Sequence, residues 1–345
     1  YKLIWGGPSS DFATSWASRQ NIQASDSSVC AVFSRGYASK LSSKFQGGDV
    51  DGDSINDVVF SEYSSQNQRY AVIFFGMTKS DWDTHPNMAE ANIMGSGIYG
   101  VVVSTRTDYE DNRMTYGWEV GIIGDINADG RDDVAISFPE EAMVQIVFGL
   151  AELKTHPSLD WTLVSRFDGS NGTILYVEQQ AFISVAGVDI NNDGIQDIAV
   201  GAPDINVGSV SRLGRLYVMF GHHMPWSATN YLATMTSDQG FIVNGVLDSI
   251  DGLGNLGRFA LSLRNIGDFI GDGIEDIAFA SDEVGPSSDR YVHHAFVLFG
   301  QKMPQFLPSF SPIPIRQGDV LTLLPSHLPV LDISDEMSIF KFLSM

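Results

Sequence analysis

An all-β architecture, with one small sheet recurring along the chain, is predicted by two interleaved motifs and by the lack of any sustained helical period. The first motif is an acidic loop that leads into an apolar run. Its four copies are "DVDGDSINDVVF" from Asp49, "DINADGRDDVAI" from Asp125, "DINNDGIQDIAV" from Asp189 and "DFIGDGIEDIAF" from Asp268. Their first aspartates lie 76, 64 and 79 residues apart. The second motif is an apolar strand closed by an aromatic residue and glycine, as in "VIFFG" and "AFVLFG", or by "LIWG", "QIVFG" and "LYVMFG". These strands end at Gly6, Gly76, Gly149, Gly221 and Gly300, at spacings of 70, 73, 72 and 79 residues. Composition bias does not keep two motifs in one register over most of a chain.

Each unit reads as about four short strands with Gly, Asn and Asp between them. A lone four-stranded sheet cannot bury both of its faces, so neighbouring units must stack into one cooperative domain. The expected fold is a β-propeller of about 70-residue, four-stranded blades with calcium-binding loops. Taken in order, residues 1–6 are the last strand of a preceding or closing blade. Full repeats occupy about 7–76, 77–149, 150–221 and 222–300, and residues 301–345 form a divergent tail or partial blade. Trp82, Trp161 and Trp226 each follow an aromatic–glycine strand closely and are expected to share a packing role.

The bulk composition fits a folded chain, with 43% hydrophobic and 18% charged residues. Lys and Arg total 20 against 42 Asp and Glu, a formal charge of -22, which repels nucleic acid and anionic membrane and gathers cations. Cys30 is the single cysteine, so an internal disulfide and a cysteine-rich zinc site are both excluded. The tail segment "VLTLLPSHLPVL" is too short and too broken by proline to cross a membrane as a helix. The chain opens on Tyr1, with no signal peptide, and is read as a mature chain or a fragment.

The acidic loops carry the chemistry. Positions 1, 3, 5 and 9 hold Asp49, Asp51, Asp53 and Asp57 in the first copy. They hold Asp125, Asn127, Asp129 and Asp133 in the second, and Asp189, Asn191, Asp193 and Asp197 in the third. Calcium takes six to eight oxygen ligands, and alternating oxygen side chains supply them from one concavity. Position 7, occupied by Ile55, Arg131 and Ile195, is expected to offer only its backbone carbonyl. Glycine at position 6 permits the sharp bend, and Ser54 replaces it in the first copy. The fourth copy has Ile270 at position 3, which leaves Asp268, Asp272, Asp276 and the Ile274 carbonyl. Calcium is thus expected at three loops, with the fourth left open.

An EF-hand is excluded, because position 12 is Phe60, Ile136, Val200 or Phe279 rather than glutamate, and each sits in a strand-forming run. Aspartates at positions 1, 3, 5 and 9 of the four loops make up 13 of the 42 acidic residues, so metal sites account for part of the extreme charge. Without a cation, that many carboxylates in one turn repel each other.

Other candidates fall away. "GSGIYG" (Gly95, Gly97, Gly100) precedes "VVVST" rather than a helix, so it is no dinucleotide site. The pairs His222–His223 and His293–His294 lack metal-binding helical spacing and suit the surface or a blade edge. No serine nucleophile elbow is present, and nothing singles out a carboxylate pair for glycoside hydrolysis. The sequon Asn171-Gly172-Thr173 is a chance-level match in a chain of this length.

These residues together resemble the FG-GAP repeats of integrin α-chain β-propellers. The resemblance rests on the aromatic–glycine strand, the D-x-[DN]-x-D-G-x-x-D loop, the apolar run and "GAP" at Gly201, Ala202 and Pro203, and it covers about residues 1–300. It implies calcium held in loops on one rim and ligand recognition by other loops. Only the third unit has a literal GAP. Small residues still hold the place four after the last loop aspartate, at Ser61, Ser137, Gly201 and Ala280. The integrin propeller has seven blades, and this chain supplies about four. Either Tyr1–Gly6 and the tail close a five-bladed ring, or the chain is part of a longer propeller. The tail reads poorly as missing strands, which favours the second.

The expected function is therefore a non-enzymatic, calcium-stabilised module outside the cell that binds a protein or glycan ligand, as in adhesion. Extracellular calcium modules commonly have dissociation constants of about 10⁻⁴–10⁻³ M, and such sites stay empty in the cytoplasm. The alternatives are the propeller portion of a larger secreted enzyme, either carbohydrate-active or resembling glycosylphosphatidylinositol-specific phospholipase D, and a structural spacer in a surface protein.

Overall fold

The computed structural model describes residues 2–4, 30–32, 40–41, 46–63, 68–78, 80, 100–107, 119–151, 167–179, 181, 183–245, 256–284, 291–302, 330–332 and 342–343. Within them the elements are strands and two single 3₁₀ turns, Pro139–Glu141 and Leu232–Thr234.

Strands β1 (Lys2–Ile4) and β2 (Cys30–Val32) pair antiparallel. The first large sheet holds β3 (Lys40–Leu41), β4 (Gln46–Gly48), β5 (Asp57–Tyr63), β6 (Gln68–Phe74) and β7 (Gly100–Thr107). The second runs β8 (Val120–Gly124), β9 (Asp133–Phe138), β10 (Met143–Val147) and β11 (Gly172–Tyr176). The third contains β12 (Ser184–Val188), β13 (Asp197–Ala202) and β14 (Arg215–Met219). Next in the chain, β15 (Thr229–Tyr231) returns to pair parallel with β11 of the second sheet, and β16 (Gly240–Asn244) then completes the third. The fourth sheet comprises β17 (Leu256–Gly267), β18 (Asp276–Val284) and β19 (Tyr291–Leu298). In the tail, β20 (Val330–Asp332) pairs parallel with β16, and β21 (Phe342–Leu343) pairs antiparallel with β19. The tail thus follows the layout of the second and third sheets, with one short parallel strand laid on the previous sheet and then one outer strand on its own.

In each of the four large sheets the aromatic–glycine strand (β6, β10, β14 or β19) is third, and a later strand (β7, β11, β16 or β21) pairs on its outer side, whereas the first such strand, β1, pairs with β2. Sheets and sequence repeats are therefore one strand out of step. The strand β13 shows why the apolar runs are continuous rather than alternating. All six of its residues are buried. Ile198, Val200 and Ala202 pack toward the second sheet with Ile123, Val144 and Ile146, while Ala199 packs toward the fourth with Phe259, Leu263 and Ile277. In the second sheet, Val134 and Ile136 of β9 face Val59, Ile73 and Phe75 of the first, and Ala135 faces the third. A strand with a sheet on either side reads as hydrophobic at both parities.

The inner strands β4, β8, β12 and β17 stand side by side from one sheet to the next. Close approach there requires glycine. A Cβ on Gly187 would collide with the Ile123 carbonyl, and one on Gly201 would collide with the Ala260 carbonyl. The second case explains the small residue four places after the last loop aspartate. The described Trp226 is buried, meets Phe148 edge-on with ring centroids 5.6 Å apart, and donates its indole N–H to the His222 carbonyl. Trp82 and Trp161 lie outside the described residues, as do Gly95 and Gly97, whereas Gly100 opens a strand. His222 and His223 are exposed, and the side chains of His293 and His294 lie outside the described set. Thr173 of the sequon is fully buried and donates to the Ser227 carbonyl at 2.7 Å.

Candidate metal centre

Each acidic loop joins an inner strand to the second strand of its sheet, so all four loops fall on the same rim. The frame of every loop is the aspartate at position 9. Asp57, Asp133, Asp197 and Asp276 are all fully buried. One oxygen of each accepts the backbone N–H of position 2, from Val50 (2.8 Å), Ile126 (2.9 Å), Ile190 (3.1 Å) and Phe269 (2.7 Å). The other accepts the N–H of the aromatic–glycine residue, from Gly76 (2.8 Å), Gly149 (2.8 Å), Gly221 (2.9 Å) and Gly300 (2.9 Å). The two motifs share one register because they are hydrogen-bonded to each other. That bond was not foreseen from sequence, where the interval between Asp and Gly varies from 16 to 24 residues.

Position 1 folds the loop back on itself. Asp189 accepts the N–H groups of Asp193 and Gly194, each at 3.1 Å. Asp125 accepts those of Asp129 (3.0 Å) and Gly130 (2.8 Å). Asp49 accepts those of Gly52 and Ser54, both at 2.8 Å, and Asp268 those of Gly271 (2.6 Å), Asp272 (3.0 Å) and Gly273 (2.9 Å). Position 6 takes the left-handed conformation throughout, with φ of +89° at Gly130, +87° at Gly194 and Gly273, and +67° at Ser54. Position 5 then caps position 7. Asp53, Asp129, Asp193 and Asp272 accept the N–H groups of Ile55 (2.9 Å), Arg131 (3.0 Å), Ile195 (2.9 Å) and Ile274 (3.0 Å).

The copies differ at position 3. In the first loop, Asp49, Asp51 and Asp57 each bring a carboxylate oxygen within 4.8 Å of the others, the one such His, Cys, Asp or Glu group among the described residues. Asp53 is not part of it. In the second and third loops, Asn127 and Asn191 accept the N–H groups of Asp129 and Asp193, both at 2.9 Å, and donate to the same aspartates at 3.2 and 2.9 Å. In the fourth loop, Ile270 is exposed and contributes no oxygen side chain. Its neighbour Phe269 is 55% exposed, whereas Val50 and Ile126 are 0% and Ile190 2% exposed at the same position.

Burial sets the electrostatics. It pushes the Asp57 carboxyl up to about 7 and that of Asp197 up to about 8, against the opposing backbone N–H bonds. Asp133 is driven well above the usual carboxylate range for the same reason. Burial likewise raises Asp129, Asp132 and Asp189. Asp268, at the exposed fourth loop, is lowered instead, chiefly by the Gly273 N–H. Crowded, buried carboxylates call for a proton or a cation, and an all-oxygen donor set suits a hard divalent ion. The gathered carboxylates of the first loop fit such an ion.

Residues 181–219, which span the third loop and most of the following aromatic–glycine strand, match the FG-GAP repeat family. That stretch carries an FG-GAP repeat, and the chain as a whole is integrin-α-like. It is similar to integrin alpha-5 of Xenopus laevis, at 27% identity over 203 residues, 56% of this chain and 16% of that protein. It is similar to integrin alpha-6 of Gallus gallus, at 32% over 110 residues, 32% of this chain and 9% of that protein. It is also similar to phosphatidylinositol-glycan-specific phospholipase D of Bos taurus, at 26% over 166 residues, 45% of this chain and 19% of that enzyme. The match spans less than a fifth of each of these relatives. FG-GAP repeats and integrin-α likeness accord with the stacked sheets and adjoining inner strands of a β-propeller.

Proposed function

We propose that the FG-GAP chain is a calcium-stabilised recognition module that works outside the cell and binds a protein or glycan ligand through loops other than the metal loops. The observation that supports it most directly is the gathering of Asp49, Asp51 and Asp57 within 4.8 Å on the loop rim. In this reading, calcium is held in the first loop by Asp49, Asp51, Asp53 and Asp57 with the Ile55 carbonyl. Asp125, Asn127, Asp129, Asp133 and the Arg131 carbonyl hold it in the second, and Asp189, Asn191, Asp193, Asp197 and the Ile195 carbonyl in the third. Asp268, Asp272, Asp276 and the Ile274 carbonyl form a poorer fourth set. The metal is structural, because it ties down loops whose buried carboxylates otherwise need protons.

Millimolar calcium suits such loops, which supports an outside location. No helix among the described residues is long and apolar enough to cross a membrane. The likeness to integrin α-chains supports a binding role. The likeness to a phospholipase D over a similar stretch supports a second reading, in which the same propeller is one part of a larger enzyme. Equilibrium dialysis against calcium tests the shared core of both. About three ions per chain are expected, and uptake of none would overturn the reading.

A further inference from the structure

Consecutive loops are not independent. The residue at position 8 of each loop reaches back to position 1 of the loop before it. Asp132, from the second sheet, accepts the Asp49 N–H at 2.8 Å and returns its own N–H to the Asp49 carbonyl at 2.8 Å. Gln196 donates its backbone N–H to the Asp125 carbonyl at 3.2 Å. Glu275, from the fourth sheet, accepts the Asp189 N–H at 2.8 Å. The same Glu275 oxygen also accepts the side-chain amides of Asn265 (2.9 Å) and Gln196 (3.4 Å), so three donors fix it in place. Ahead of the first two loops, a glycine makes room for this contact. A Cβ on Gly48 would collide with the Asp132 carboxylate, and one on Gly124 with the Gln196 side chain. In the first loop the position 8 residue, Asn56, is exposed, whereas Asp132, Gln196 and Glu275 are half-buried.

We propose that Glu275 is a positioning residue for the cation site of the third loop, acting from the neighbouring sheet through the backbone of Asp189, and that Asp132 plays the same part for Asp49 of the first loop. This inference rests on the calcium reading of the loops. Asp189 has both carboxylate oxygens already committed to N–H groups of its own loop, so the orientation of its backbone decides where its remaining lone pairs point. Holding the Asp189 N–H from outside fixes that orientation before the ion arrives. Groups that orient a ligand without touching the metal are commonly worth about 10–100-fold in affinity. A consequence follows for the assembly of the sheets. An ion in the third loop tightens a contact between the third and fourth sheets, so calcium couples neighbours as well as bracing each loop.

The test is calcium binding by titration calorimetry on the full chain, in the Glu275→Ala, Glu275→Gln and Asp193→Ala variants and the Asp193→Ala/Glu275→Ala double variant. Glu275→Ala should weaken one of about three sites by about tenfold. Glu275→Gln, which keeps an oxygen acceptor for the Asp189 N–H, should restore most of that loss. In the Asp193→Ala background, Glu275→Ala should change nothing further, because the site it serves is gone. Wild-type protein that binds no calcium overturns the cation reading itself. Wild-type protein that binds normally, with Glu275→Ala unchanged, overturns only the role of Glu275. So does a Glu275→Gln chain as weak as Glu275→Ala, which would trace the effect to charge rather than position.

Discussion

The backbone N–H of Gly221 donates to the buried carboxylate of Asp197 at 2.9 Å, and this one bond ties the end of an aromatic–glycine strand to the acidic loop 24 residues earlier. The same bond recurs in the other three sheets, at Gly76–Asp57, Gly149–Asp133 and Gly300–Asp276. Glycine is needed because a Cβ at position 221 would collide with the Gln196 carbonyl. Gly221→Ala must therefore push the strand end away from Asp197. Overpacking and a weakened bond to a buried carboxylate together cost about 3 kcal/mol. Gly208→Ala, with open space around it and φ +59°, should cost about 1 kcal/mol from backbone strain alone. Urea denaturation of both variants checks the difference.

The pH dependence of the calcium-free chain follows from the raised carboxyls. Asp57 and Asp197 hold their protons to about 7 and about 8 when folded, and release them near the ordinary carboxylate value when unfolded. Between those values the folded state binds more protons, so stability falls as pH rises. In EGTA, the melting temperature should drop steadily from about pH 5 to pH 8. Calcium replaces the protons, so with calcium present the drop should shrink and calcium affinity should rise over the same range. Melts at several pH values, with and without calcium, check both signs. A calcium-free chain that gained stability over that range would contradict the burial account.

The fourth loop lacks one donor. Ile270 stands where the second and third loops carry asparagine, and it is exposed, so substitution there disturbs no core. Ile270→Asn should add one calcium site per chain in equilibrium dialysis. An unchanged stoichiometry would mean that the exposed fourth loop cannot be closed around an ion by its ligands alone.

Removal of a single ligand should act on one site. Asp193→Ala should abolish the third-loop ion and lower the melting temperature in calcium by a few degrees, as expected from the loss of about 1–3 kcal/mol in a chain of this size. Asp238→Ala, at an exposed residue outside the loops, should do neither. Equal behaviour of the two variants would deny the loop any special role.

The acidic loops and the strands that follow them were legible in the sequence, because both are local. Oxygen side chains alternate over nine residues, and the run from Asp197 to Ala202 is apolar at both parities because sheets cover both of its faces. Stacking of the sheets was expected, but which residues meet between them was not legible. The Glu275 bond to Asp189 joins residues 86 positions apart, and at position 8 the sequence shows Asn, Asp, Gln and Glu with no visible rule. The rule lies in what the partner backbone needs, an acceptor or a donor, and only the neighbouring sheet reveals it. The outer strand of the fourth sheet, Phe342–Leu343, was equally hidden. It comes from a tail that carries neither repeated motif.

Thermal unfolding in calcium and in EGTA tests the central claim most directly. A ligand that binds only the folded state stabilises it by about 4 kcal/mol at a thousandfold excess over its dissociation constant. The account predicts a melting temperature several degrees lower in EGTA than in millimolar calcium at pH 7.5. Superimposable melts would contradict it.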